Sequence, residues 1–108
     1  MTLEDACDIY NQMKSTKHDS LFDELARSAI RYSRIRVDYM MVSSLERREM
    51  DEARTRAHTV FIEACNILSR NMYKVGEDNS WRSRLGDDRK TIGDFACYIH
   101  CLLGILAR

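Results

Sequence analysis

The stretch TIGDFACYIHCLLGILA, Thr91–Ala107, is the most apolar part of this 108-residue chain and decides how the rest is organised. At 100° per residue, its core-forming side chains share one face of a helix: Ile92, Phe95, Ala96, Ile99, Leu102, Leu103 and Leu106. The opposite face, here called the small-residue face, carries Gly93, Cys97, Cys101 and Gly104. Small residues allow a second backbone to approach closely. We therefore expect a core helix whose small-residue face forms an interface, covered by the first helix or by another copy of the chain.

The same stretch is too short to span a membrane. Its uncharged part runs only from Phe95 to Ala107, whereas a spanning helix needs roughly 20 apolar residues. The N-terminal sequence MTLEDACDIY is acidic and lacks the basic and apolar regions of a secretory signal. We therefore expect a cytoplasmic protein that does not associate with membranes, and whose four cysteines are reduced thiols.

The composition favours helix throughout. Proline is absent, glycine occurs four times, and the formal net charge is zero. Caps and apolar periodicity predict helices from Leu3 to about Lys14, from Asp19 or Ser20 to about Val42, and from the Ser43 capping box to Lys74 or Val75. A loop, Ser15–His18, joins the first two helices. The predicted fold is a single all-α domain over residues 1–108, a mostly antiparallel four-helix bundle with a short first helix and a long third helix.

Arg36 is the clearest departure from this pattern. It falls in the middle of the apolar arc of the second helix, where a guanidinium needs an acidic partner. Glu46 lies across the short connection to the third helix and also falls on an apolar stripe, so we expect it to be the partner, with Asp94 as the second choice. Arg36 and Glu46 are thus predicted to be buried polar residues that lock the helix register or bind a ligand.

Two carboxylates on the third helix suggest an alternative, enzymatic function. Glu49 and Glu52 form an E-x-x-E pair, and the sequence Ile-Gly-Asp-Phe follows at 92–95. Together they resemble the all-helical nucleotide pyrophosphohydrolases of the MazG type, which bind magnesium with an E-x-x-E helix and an E-x-x-D helix. The resemblance implies that Glu49, Glu52 and Asp94 hold Mg²⁺, although Thr91 stands where the fourth carboxylate belongs. No cofactor is expected outside this alternative.

The segment from Gly76 to Lys90 is the longest predicted loop. It carries the only tryptophan, Trp81, with Arg82 and Arg84 beside it, and we expect these three residues to contact a partner. Together with a ridge of arginines on the second helix, they suggest a second alternative, a nucleic-acid-binding accessory protein. Acidic residues interleaved with the arginines argue against this function.

The leading interpretation is a cytosolic interaction or regulatory module that forms a homodimer and has no catalytic activity. The chain has more apolar residues than one small bundle can hide, and Ile62 and Tyr73 point away from the predicted core of the third helix. The same features are compatible with a protein partner other than a second copy.

Overall fold

The computed structural model describes residues 1–14 and 17–106, with side chains through residue 104 at the end of the last helix. The described residues form helices α1 (Leu3–Lys14), α2 (Asp19–Met41), α3 (Ser44–Lys74), α4 (Trp81–Leu85) and α5 (Arg89–Leu106), and no strand. The prediction of an all-α helical bundle is confirmed, with a short α4 within the predicted loop. The predicted core position of Leu106 and part of the predicted loop Ser15–His18 lie outside the described side chains.

The first and third helices begin where their local sequences cap them. At the start of α1, Thr2 Oγ1 accepts a hydrogen bond of 3.1 Å from the Asp5 amide, and Asp5 Oδ2 accepts one of 3.2 Å from the Thr2 amide. At the start of α3, Ser43 Oγ accepts a bond of 3.4 Å from the Glu46 amide. Each cap satisfies an amide that has no partner inside the helix.

The last helix begins earlier than the capping-box-like spacing of Thr91 and Asp94 predicts. Asp88 Oδ2 accepts hydrogen bonds of 3.0 Å from both the amide and the hydroxyl of Thr91, so Asp88 is the capping residue and Arg89 the first helical one. The backbone hydrogen bond from Thr91 is the main reason why the pKa of Asp88 lies below its usual value. Thr91 therefore belongs to the first turn of α5.

The second helix lies at the centre of the bundle, between α3 and α5. Three aromatic rings connect these helices through the core: Tyr32 lies 6.4 Å from Phe61, and Phe61 lies 6.2 Å from Phe95, measured between ring centroids. The 31 residues of α3 extend over about 46 Å at 1.5 Å per residue. This length matches the 47 Å longest dimension of the molecule, so α3 spans the whole bundle.

The buried face of α3 is rotated from the predicted one. The apolar spacing along α3 predicts a core stripe that includes Val60 and Val75, yet these two side chains are 46% and 62% exposed. Cys65 and Met72 are buried instead, because α3 faces α2 on one side and the α4–α5 segment on the other. The buried apolar residues of α3 are Ala57, Phe61, Cys65, Leu68 and Met72.

In the described part of the chain, no helix is both long enough and apolar enough to cross a membrane.

The first part of the apolar face of α5 lies in the core as predicted, since Ile92, Phe95, Ala96 and Ile99 are all fully buried, whereas Leu102 and Leu103 are half-buried against the core.

Candidate functional site

Arg36 crosses from α2 to the first turns of α5 and lies against the small-residue face. Its Nη1 donates a hydrogen bond of 2.9 Å to Asp94 Oδ1 and one of 3.7 Å to Cys97 Sγ. Gly93 is buried beneath the guanidinium, and a Cβ atom built there would lie 2.8 Å from Arg36 Cζ. The absence of a side chain at residue 93 therefore makes room for the arginine to reach Asp94.

The surroundings of Arg36 keep it charged. Partial burial is the largest influence on its pKa and lowers it, but the hydrogen bonds to Asp94 and Cys97 and the charge of Asp94 outweigh burial and raise the pKa above its usual value. The side chains of Arg36 and Asp94 are 24% and 33% exposed, so water screens the pair. The ion pair therefore positions α2 against α5 more than it adds stability.

Asp94, the second choice from the sequence, is the partner of Arg36. Glu46 is exposed in the first turn of α3, where its amide takes part in the helix cap, and the predicted Arg36–Glu46 pair is not formed. Arg47, next to it, turns back to α2 and donates a hydrogen bond of 3.0 Å to the Tyr39 carbonyl. Glu46 is close to Arg36 in sequence, but it does not lie against the face of α2 that carries Arg36.

A groove lies at the boundary of α2 and α5, beside Ser33 and His100. His100 Nδ1 lies 3.2 Å from the Ser33 hydroxyl, which is buried. Beside them is a surface cavity of about 320 Å³, which Arg34, Val37 and Asp38 also line. The groove combines one titratable ring, two opposite charges and one exposed apolar side chain.

The small-residue face is covered over only half of its length. Gly93 is buried and Cys97 half-buried, and both are covered by Arg36 of α2 rather than by α1. Cys101 and Gly104 are exposed, and a Cβ atom on Gly104 would meet nothing within 4 Å in the described part of the chain. Coverage of Cys101 and Gly104 by another copy of the chain stays a prediction.

The loop residues that were predicted to contact a partner instead make contacts within the bundle. Trp81 is fully buried, and its Nε1 donates a hydrogen bond of 3.2 Å to Met72 Sδ. Arg82 donates to Asn66 Oδ1 at 2.7 Å, besides bonds to its own loop. Arg84 lies 3.9 Å from the carboxylates of both Asp5 and Asp8 in α1. An indole without exposed surface cannot stack on a base.

The carboxylates of the enzymatic alternative are not brought together. Glu49 and Glu52 are exposed on α3, and Glu52 pairs with Arg56 at 2.7 Å. Asp94 is hydrogen bonded to Arg36. Within residues 1–14 and 17–106, no group of three or more His, Cys, Asp or Glu side chains is arranged to hold a metal ion. The arrangement that Mg²⁺ would need is thus absent from the described part of the chain.

The end of the α2–α3 hairpin carries an apolar surface that the helical pattern predicted only in part. Four large apolar side chains within nine residues are more than half exposed, and we call them the apolar end surface: Val37 (52%), Met40 (69%), Met41 (81%) and Leu45 (70%). Tyr73 is exposed as predicted, but Ile62 is half-buried against the core. The sequence signal for the apolar end surface was the wide apolar arc of the second helix, which continues to Met41 beyond the part that α5 covers.

The outward face of α2 adjoins the apolar end surface and is rich in arginine. Arg27, Arg31 and Arg34 are exposed and form no ion pair with any described residue, although Asp23 and Asp38 lie one turn away from two of them. The intrahelical pairs that this spacing allows are therefore not made. These guanidinium groups remain available to an external partner.

Comparisons of this chain with protein-family models, with curated proteins and with solved structures find no match.

Proposed function

We propose that this protein is a small interaction module that associates with a second copy of itself through the apolar end surface and the outward face of α2 that adjoins it. The observation that carries the proposal is the concentration of exposed apolar side chains in one place. Elsewhere on the described chain no more than two large exposed apolar residues, Tyr73 and Val75, are close in sequence, whereas Val37, Met40, Met41 and Leu45 lie within nine residues at the α2–α3 end. Contiguous apolar surface on a soluble domain is typical of an interaction site.

The charges beside the apolar end surface support a second copy as the partner. A two-fold interface brings the same surface of both copies together, so each copy must present both halves of every contact. The surface provides this, because Arg34 and Asp38, neither of which pairs with a described residue, flank Val37 on α2. A partner of one charge sign would match only one of the two.

The free thiols support a reducing compartment for this function. Cys7, Cys65, Cys97 and Cys101 are all free. Free cysteines are usual in proteins of the cytoplasm, where thiols are kept reduced. The proposed module therefore acts in the cytoplasm.

Light scattering coupled to size-exclusion chromatography tests the proposal. Between about 10 and about 300 µM the wild-type chain should move from monomer toward dimer, as expected for a small interface with a micromolar dissociation constant. Met41→Ser should shift the midpoint to higher concentration. The matched control is Tyr73→Ser, which removes a 75% exposed side chain at the other end of α3 and should have no effect. A wild-type chain that stays monomeric throughout this range would contradict the proposal.

A further inference from the structure

We infer that the second copy packs antiparallel across the outward face of α2, with the two-fold axis passing beside residue 36. The inference rests on the proposed self-association and specifies its register. The outward face runs along α2 from Arg27 through Arg31, Arg34 and Asp38 to Met41, all exposed. These residues lie within about 40° of the direction that points away from the core, at 100° per residue.

The charges on this face support this register. In an antiparallel pair, residues at equal distances before and after the two-fold axis stand at the same height on opposite helices. Arg34 is two residues before the axis and Asp38 two residues after it, so each Arg34 meets Asp38 of the other copy. Two opposite-charge pairs form per dimer. Neither residue forms an ion pair within the described part of its own chain.

The apolar side chains agree with the same register. Met41 is five residues after the axis and therefore stands at the height of Arg31 in the other copy. At that height the outward face has a surface cavity of about 550 Å³, lined by Arg27, Ile30, Arg31, Arg34 and Ile35. Met41 is the most exposed large apolar side chain among the described residues. A flexible thioether suits a cavity formed by isoleucines and the apolar stems of arginines.

Three other arrangements of two α2 helices oppose like charges. An axis beside residue 31 places Arg31 against its own copy, and one between residues 30 and 31 places Arg27 against Arg34. A parallel pair in register places Arg34 against Arg34. Only the axis beside residue 36, of these arrangements, pairs Arg34 with an acid and puts Met41 over the cavity.

Charge reversal tests the register with four samples of the full chain. Arg34→Asp alone sets two carboxylates against each other, the introduced one and that of Asp38 in the second copy. Asp38→Arg alone sets the introduced guanidinium against Arg34 of the second copy. Each single variant should raise the dimer dissociation constant by about tenfold or more, because two attractive pairs become repulsive. The double variant carrying both reversals should return to within about threefold of wild type. An equal mixture of the two single variants should form a heterodimer more readily than either forms a homodimer.

Matched controls separate the register from net charge. Arg70→Asp and Glu63→Arg change the charge by the same amounts at exposed positions of α3 and should leave dimerisation unchanged. If wild type dimerises but the single reversals behave like these controls, the register is overturned while the proposed function stands. If both singles weaken the dimer and the double does not recover, the Arg34–Asp38 pairing is overturned as well. A wild-type chain that never dimerises overturns the proposed function itself.

Discussion

Arg36 and Gly93 occupy complementary positions across the contact of α2 and α5. Both Cζ and Nε of Arg36 lie 2.8 Å from the point where a Cβ atom of residue 93 would be, and Gly93 is buried under the guanidinium. The hydrogen bond of 2.9 Å from Arg36 to Asp94 depends on this close approach. A glycine inside a helix normally lowers its stability, so the position of Gly93 reflects the space that Arg36 needs.

A mutant cycle of Arg36 and Gly93 tests this dependence. Gly93→Ala should stabilise α5 by up to about 1 kcal/mol through helix propensity, but in the wild-type chain it displaces the guanidinium and breaks the bond to Asp94. In an Arg36→Met background, Gly93→Ala should give only the stabilisation from helix propensity. Urea denaturation should therefore show a larger stabilisation in that background, with a coupling of at least about 0.5 kcal/mol. Equal effects of Gly93→Ala in both backgrounds would contradict the steric relationship.

Trp81 should be essential for stability rather than for binding. It is fully buried at the start of α4, and its Nε1 donates a hydrogen bond to Met72 Sδ of α3. Trp81→Ala should reduce the free energy of unfolding by about 3–5 kcal/mol, because it leaves a large cavity. Tyr73→Ala, at a 75% exposed position, should change it by less than about 0.5 kcal/mol. A small effect of Trp81→Ala in chemical denaturation would show that the loop does not pack on the bundle.

The features that the sequence predicted well depend on local chemistry. The starts of α1 and α3 follow from capping side chains three residues from their partners, and the buried face of α5 follows from its own periodicity. The all-α fold needs no more than these signals. Contacts between residues far apart in sequence are harder to predict. The partner of Arg36 lies 58 residues away on α5, whereas the predicted partner, Glu46, is close in sequence.

The rotation of α3 and the burial of Trp81 depend on packing between helices, which the sequence pattern alone does not specify. Val60 and Cys65 both fit apolar stripes of α3, and only the placement of α2 and α5 decides that Cys65 is the buried one. The charged neighbours of Trp81 predict an exposed indole that can contact a partner. Arg82 instead bonds to Asn66 and the loop, which holds the indole inward.

The stability of the fold should fall as pH decreases from about 7.5 to 5.5, with His58 as one cause. Burial is the first reason why the pKa of His58 lies below its usual 6.5, and the charges of Arg89 and Arg54 add to it. Its Nε2 is buried and has no hydrogen-bond partner among the described residues. The unfolded chain takes up a proton at His58 near pH 6.5, whereas the folded chain resists it until a lower pH, so protonation favours unfolding.

His58→Phe isolates this contribution. The aromatic ring is kept beside Tyr32, whose ring centroid lies 5.4 Å from that of His58, but the titrating group is lost. Urea denaturation of both proteins at about pH 7.5, 6.5 and 5.5 should show a smaller decrease for the variant. A wild-type chain that becomes more stable at the lowest pH relative to His58→Phe would contradict the expected direction.

The cysteines should react with thiol reagents in an order set by burial. Burial raises the pKa of Cys65 to about 12, despite the nearby charge of Arg82, so at neutral pH it is both inaccessible and protonated. Cys101 is exposed on α5. Mass spectrometry of the native protein should therefore show rapid labelling that Cys101→Ser removes, whereas Cys65 should be labelled only after unfolding, because the thiolate is the reactive species. Labelling of Cys65 in the native state at a rate near that of Cys101 would contradict the core packing. A Cys101 rate that slows as the protein is concentrated would instead indicate that the second copy covers the small-residue face, and would count against the register on α2.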